Sequence, residues 1–317
     1  MEKNIHPSDS TFEGKIVSLI ASTTEIVCAL GCKEFLVGIS HECDFPESIL
    51  DLPRCSAPRI DVDISSIEIE NTITGLIKNA LSIYSVDQEK LIELSPDIIL
   101  TQDMCRVCAV SEDDVKMALR KSFTKSVQMY SFSPMTLHGI FDGILEIGNL
   151  LNKSETARNL VVDMKIRIKA IKEESKRIKR IPKVCAIEWI DPIYTGGNWM
   201  PELIEIAGGQ SVFGKTGKHS KIIQFSEIVD QDPDILLILP CGWDISRSES
   251  ELHPLLHQPE WSYLKAVRNG KVFILDGNQY FNRPGPRIID SIEILTEIFH
   301  PWKFIHEFEG SGWVKYE

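Results

Sequence analysis

The sequence predicts an α/β protein of two lobes joined by one long helix. Three observations lead there. Short apolar runs alternate with helical patterns in two separate series along the chain. Between the series, residues 154–179 place Ala157, Leu160, Val161, Met164, Ile168, Ile171 and Ile178 on one helical face, with lysines and arginines on the other. A length of 317 residues also exceeds one ordinary domain.

In the first series, the apolar run 16–20 is a strand, followed by a polar turn at Ser22, Thr23 and Thr24 that caps a helix closed by Gly31. Strands at 35–39, 96–101 and 127–131 follow, then an amphipathic helix over 137–151. The linking helix comes next, and Pro182 bars its continuation. About 26 residues at ~1.5 Å each give a rod of ~39 Å. In the second series, 184–189 is a strand and 201–207 a helix ended by Gly208-Gly209. The run DILLIL at 234–239 has no polar alternation, so it reads as a strand buried on both faces. A strand at 271–275 and an amphipathic helix over 287–299 complete the series.

Composition removes several classes of function. Hydrophobic residues at 43% and charged residues at 25% supply a packed core and exclude disorder. The net charge of −12 opposes general nucleic-acid binding, because phosphate is repelled. No run approaches the roughly 20 apolar residues of a membrane span, so insertion into a membrane is not expected. Residues 1–14 are polar and lack the apolar core of a signal peptide. A cytoplasmic location is therefore expected, with an extracytoplasmic one as the alternative if the sequence is trimmed. A monomer is the expected state.

Ligands of parallel sheets collect beyond the C-terminal ends of the strands. Those positions here are rich in aromatic, amide and thiol groups. Thr23 and Thr24 follow the first strand, His41 the second, and Gln102 the run PDIILT. Tyr194 and Trp199 follow the strand at 184–189, Trp243 follows DILLIL, and Tyr280, Phe281 and Arg283 follow the last strand. This composition suits a large ligand that is partly apolar and carries amides.

The eight cysteines do not form a dense disulfide framework, and Cys28 and Cys32 read as small buried hydrophobes. Cys105-Arg-Val-Cys108 is a C-x-x-C, which fits a redox dithiol, half of a zinc site, or plain packing. His41 beside Glu42 fits a proton-transfer pair, an axial metal ligand or a structural histidine. His253-Pro-Leu-Leu-His257 lacks the glutamate of a zinc-binding helix and reads as a surface loop. Gly214-Lys-Thr-Gly217-Lys is too short for a nucleotide-binding loop.

The same strand-end segments carry a family resemblance. SLIASTTEIVCALG at 18–31, VGISHECDFP at 37–46 and LSPDIILTQ at 94–102 resemble the class III, helical-backbone substrate-binding proteins of ABC importers. EWIDPIYTGGNWMPELIEIAGG at 188–209, DPDILLILPCGW at 232–243 and DGNQYFNRPGPR at 276–287 continue the likeness. It is closest to the cobalamin-binding members and spans residues 15–300. It implies two Rossmann-like lobes, at 15–151 and 182–305, joined by a backbone helix at 152–181. It also implies a non-catalytic protein, with no cofactor as catalyst, that captures cobalamin or a related corrinoid in a cleft between lobes. Thr23, Thr24, His41 and Gln102 would line one side, with Tyr194, Trp199, Trp243, Tyr280, Phe281 and Arg283 on the other. Glu89 and Glu205 would dock an ABC permease. Departures from the family are the missing signal, a longer link over 59–86, and the thiols Cys105 and Cys108. A cytosolic corrinoid carrier or sensor is the variant these departures suit. The alternatives are an iron-siderophore or haem binder, with Arg283 the one strong cation at the strand ends, and a thiol- or metal-dependent enzyme using Cys105, Cys108 and His41.

Overall fold

The computed structural model describes residues 11–78, 83–102, 113, 115, 116 and 126–316. The chain forms two compact units. The first takes residues up to Ile64, Asn71–Pro134 and His138–Asp163; the second takes Ser65–Glu70, Met135–Leu137 and everything from Met164 onward. The linking helix, Ser154–Ser175, thus contributes residues to both, and two short segments expected in the first lobe belong with the second.

In the first unit, β1 (Ile16–Ser18) and β2 (Leu36–Ile39) flank the helix Ala21–Ala29. β3 (Ser56–Pro58) pairs antiparallel with β4 (Tyr84–Val86), and the long link at 59–86 holds β4 and the helix Ser66–Lys78, whose first five residues belong to the second unit. β5 (Ile98–Thr101) and β6 (Gln128–Ser131) complete a sheet of order β2-β1-β5-β6. All of its pairings are parallel. β1 and β5 are buried at every position, as central parallel strands covered on both faces must be. One expectation fails here. Ser22, Thr23 and Thr24 do not cap the first helix; they lie inside its first turn, and the Thr23 and Thr24 hydroxyls bond back to the Ile20 carbonyl.

The second unit holds β7 (Lys183–Trp189), β8 (Tyr194–Thr195), β9 (Gln210–Ser211), β10 (Ile235–Ile238), β11 (Val272–Leu275) and β12 (Trp313–Lys315). The order is β12-β11-β10-β7-β8, with β9 also on β7. β7, β10 and β11 run parallel, whereas the edge strands β8 and β12 are antiparallel. The sheet is thus parallel at its centre, as expected of a Rossmann-like lobe, and antiparallel only at these edges. The turn from β7 to β8 is too short for a crossover, so the chain can only fold back.

The linking helix has 22 residues, about 33 Å. Ala157, Val161, Met164, Ile168 and Ile171 are buried as its periodicity required. It stops at Ser175 rather than Lys179, and Ile178 lies beyond it. Arg167 holds its second half to the helix Ile288–Phe299 through Glu293, at 2.7 Å, and Asp290, at 3.4 Å. The expected surface loop at 253–257 is instead a short helix, His253–Leu256, whose Pro254 sits in the first turn where proline is tolerated.

The second unit also runs past the expected end at residue 305. Buried Glu297 accepts from the backbone N–H groups of His306, Glu307 and Phe308 and from the Trp313 indole. This one carboxylate turns the chain back so that β12 reaches β11. Glu297→Ala leaves those donors unsatisfied, and a loss of about 3 kcal/mol in denaturant unfolding is expected. Unchanged stability would mean that the C-terminal segment is held by other contacts.

Candidate functional site

Parallel pairing brings the C-terminal ends of β1, β2, β5 and β6 to one edge of the first unit. There Ser18, Thr23, Thr24, Ser40 and Cys43 form a closed buried network. Ser18 Oγ lies 2.7 Å from Thr23 Oγ1 and accepts from Thr24 Oγ1 at 2.8 Å. Thr24 Oγ1 and Ser40 Oγ lie 3.1 and 3.5 Å from Cys43 Sγ. Thr23, Thr24 and Gln102 are buried. The threonine hydroxyls are thus committed to shaping the edge from beneath.

His41 is half-buried, with Nδ1 2.9 Å from Ser56 Oγ and its ring 5.3 Å from that of Tyr84. Burial, and then the Arg54 guanidinium, pull its pKa down to about 4. The imidazole is therefore neutral near pH 7, and its nearest carboxylate, Glu42, lies 3.9 Å from Nε2.

Three of the described thiols near this edge are not activated. Burial pushes Cys28 up to about 12 and Cys55 up to about 11, and raises Cys43 as well. Such thiols are poor nucleophiles and poor metal ligands. Cys32 is buried and Cys28 half-buried. No cluster of three or more His, Cys, Asp or Glu side chains able to hold a metal occurs among the described residues. Cys105 and Cys108 lie outside the described residues.

The second unit carries the larger rim. Beyond β7, β10 and β11, three loops are laced together. The Cys241 N–H donates to the Glu188 carbonyl at 3.0 Å, and the Asn278 N–H to the Trp243 carbonyl at 3.0 Å. The Asn282 amide donates to the carbonyls of Leu239 and Gly277 at 3.2 and 3.1 Å. After β11 the chain makes one π-helical turn, Gly277–Phe281, capped by Asp276, which accepts from the Gln279 N–H at 2.7 Å. Gly277 is required there, since a Cβ would stand 2.1 Å from the Pro240 carbonyl oxygen.

The expected aromatics divide by depth. Trp199 and Phe281 are buried and joined, the Trp199 indole donating to the Phe281 carbonyl at 3.0 Å. Arg283 is also buried and donates to Asn278 Oδ1 at 2.8 Å. These three brace the rim from within. Tyr280 is half-buried, its ring 5.8 Å from Phe308 and 5.5 Å below the Arg287 guanidinium. Tyr194, half-buried on the edge strand β8, donates to Glu70 at 3.1 Å. Trp243 packs 4.8 Å from Trp189, and the Arg247 guanidinium sits 4.9 Å from the Trp243 ring.

Four rim residues escaped the sequence reading: Glu188, Trp189, Arg247 and Arg287. Glu188 and Trp189 end β7, where a strand pattern by itself marks no ligand role. Arg247 had a legible signal, since a cation four residues after Trp243 reaches back over the ring once a helix starts between them. Nothing local marked Arg287. The Trp189 indole N–H is buried without an acceptor, and Asn198 Oδ1 without a donor, among the described residues.

Glu188 ties the 196–221 segment to the sheet. It accepts from the Gly197 N–H at 3.2 Å and from the Ser220 hydroxyl. Burial pushes its pKa up to about 7, against the pull of those two donors. The native state then binds this proton more tightly than the unfolded chain, so the group's stabilising effect is lost as pH rises through about 7. Stability of wild type relative to Glu188→Gln should fall between pH 5 and about 8 in denaturant titrations. A difference that does not change with pH would contradict this assignment.

Residues 16–279 match the family described as periplasmic binding protein. A vitamin B12-binding protein of Vibrio campbellii is 21% identical over 302 residues, covering 92% of this chain and 93% of its own. A periplasmic heme binding protein from Pseudomonas aeruginosa superposes with a TM-score of 0.72 at 18% identity, over 96% of this chain and 99% of its own. The periplasmic vitamin B12 binding protein of Vibrio cholerae gives 0.63 at 19% identity, over 90% and 95%. With two α/β units, a helix running from one into the other, and a match over most of its length, this chain belongs to the periplasmic binding protein family and has the class III fold.

Proposed function

We propose that this protein binds cobalamin or a related corrinoid as a non-catalytic carrier, with the strand-end rim of the second unit as its main ligand face. The observation that carries this reading is the laced rim itself. Half-buried Tyr280 and Trp189 offer flat apolar surface, with buried Trp243 packed behind Trp189, and the Trp189 indole N–H and Asn198 Oδ1 are a donor and an acceptor without partners among the described residues. A corrin macrocycle edged with amide side chains needs that combination of stacking surface with both kinds of hydrogen-bonding group. The vitamin B12-binding relatives support the same ligand class.

The first unit adds His41, a neutral imidazole beside Tyr84. Glu89 and Glu205 are both exposed, each on a short helix, in keeping with permease docking and so with ABC-type uptake. Because the rim loops are hydrogen-bonded to one another before ligand arrives, the ordering cost of binding is small.

A second reading is favoured by Arg247 and Arg287. The strand ends hold more positive charge than Arg283 alone, so an anionic chelate such as haem or a ferric siderophore is the alternative cargo.

Titration calorimetry with hydroxocobalamin should show saturable binding. Trp243→Ala and Tyr280→Ala should each weaken it by about 1–3 kcal/mol, the scale of a buried aromatic anchor. Wild-type affinity in both variants would reject the rim as the site. Binding of haemin but not hydroxocobalamin, with loss in Arg247→Ala, would establish the second reading instead.

A further inference from the structure

The opposite end of the second unit carries a surface that ligand binding does not use. It begins where the linking helix stops. Lys176, Arg177, Lys179, Arg180 and Lys183 fall within eight residues, in a chain of net charge −12. Lys176, Arg177, Lys179, Arg180 and Lys183 are all exposed. Strands β7, β10 and β11 start on this side, and Lys183, Asp234 and Lys271 mark their N-terminal ends. Arg180, Pro182, Asp234, Lys271, Phe299 and Trp302 line one notch there.

Two acids on this face, Glu174 and Asp234, are held in ion pairs, while exposed Asp232 accepts from the Lys265 backbone N–H. Glu174 pairs with Arg177 at 2.6 Å and with Lys303, and Asp234 pairs with Lys265 at 2.5 Å. Lys176, Lys179, Arg180 and Lys271 close no ion pair among the described residues, so the local surplus is positive. Beside these cations stand two large apolar side chains in solvent, Ile181 at 61% exposure and Trp302 at 67%.

We propose that this face docks on an anionic lipid surface, with Trp302 and Ile181 entering the headgroup layer and the basic run 176–183 lying over lipid phosphates. Three points favour a bilayer over an acidic protein. The notch has a volume of only about 30 Å³, room for a water or a phosphate oxygen and not for a partner's side chain. Trp302 and Ile181 are largely exposed, and an indole and a branched aliphatic beside Lys and Arg suit the bilayer interface. The chain as a whole carries −12, so an anionic surface is attracted only where cations gather, and this face adds two exposed apolar side chains to its cations. At ~0.15 M salt the Debye length is about 8 Å, which screens the distant negative charge while the contacting cations still act. The proposal is independent of the identity of the cargo.

The test is co-sedimentation of the full chain with vesicles of phosphatidylcholine alone, or mixed equally with phosphatidylglycerol, at physiological salt. Binding to the mixed vesicles only is expected. Lys179→Gln with Arg180→Gln should weaken it about 25-fold, taking about fivefold per cation. Trp302→Ala should also weaken it and should abolish the quenching of tryptophan emission by brominated lipid. Both variants change exposed side chains, and unaltered thermal melting is the check on folding. Absence of binding to mixed vesicles would overturn the proposal. So would equal binding by both variants, or capture of the chain by immobilised polyglutamate with no vesicle binding.

Discussion

Parallel pairing of β7, β10 and β11 is the constraint on which the candidate site depends. Ile238 stands beside Ile187 on one side and Ile274 on the other, so the three strands end within two residues of one another. Each chain then leaves the sheet with backbone groups that have lost their ladder partners. Those groups find partners: the Cys241 N–H meets the Glu188 carbonyl, the Asn278 N–H the Trp243 carbonyl, and the Asn282 side-chain amide the carbonyls of Leu239 and Gly277. A polar group buried without a partner is costly, so a slip of one strand would disturb the whole lacing. The aromatic side chains of the rim inherit their positions from this backbone arrangement.

The two ends of the second unit therefore differ in kind. At the C-terminal strand ends, loops are tied together and carry aromatic rings with cations stacked on them. At the N-terminal ends lie the exit of the linking helix and a cluster of lysines and arginines. Helix C-termini carry partial negative charge, which makes the end of Ser154–Ser175 a favourable place for that basic run. One sheet thus separates the end proposed to take the ligand from the end proposed to meet an anionic surface.

Much of this was legible in the residues. Runs such as DILLIL and PDIILT have no polar alternation, and burial on both faces leaves little choice but a central parallel strand. The linking helix was legible because an apolar face sustained over five turns has no other explanation. What was hidden arises from contacts distant in sequence. β12 depends on Glu297 meeting donors 9 to 16 residues away, and no local pattern around residue 313 announces that meeting. The depth of site residues was also hidden. Trp199 and Tyr280 look alike as strand-end aromatics, yet the partner of the Trp199 indole is a carbonyl 82 positions away, and that bond draws the ring inside. The Ser22–Thr24 turn misled for a related reason. Hydroxyls that resemble a helix cap were drawn into the helix by Ser18 and Cys43, groups on two different strand ends.

Hydrogen–deuterium exchange with and without hydroxocobalamin tests the central claim most directly, because it reads both the ligand and the readiness of the rim. The account predicts that amides in 239–247 and 276–287 already exchange slowly in the free protein and slow further with ligand. Fast exchange of these segments in the free protein, or ligand protection confined to other parts of the chain, would contradict it.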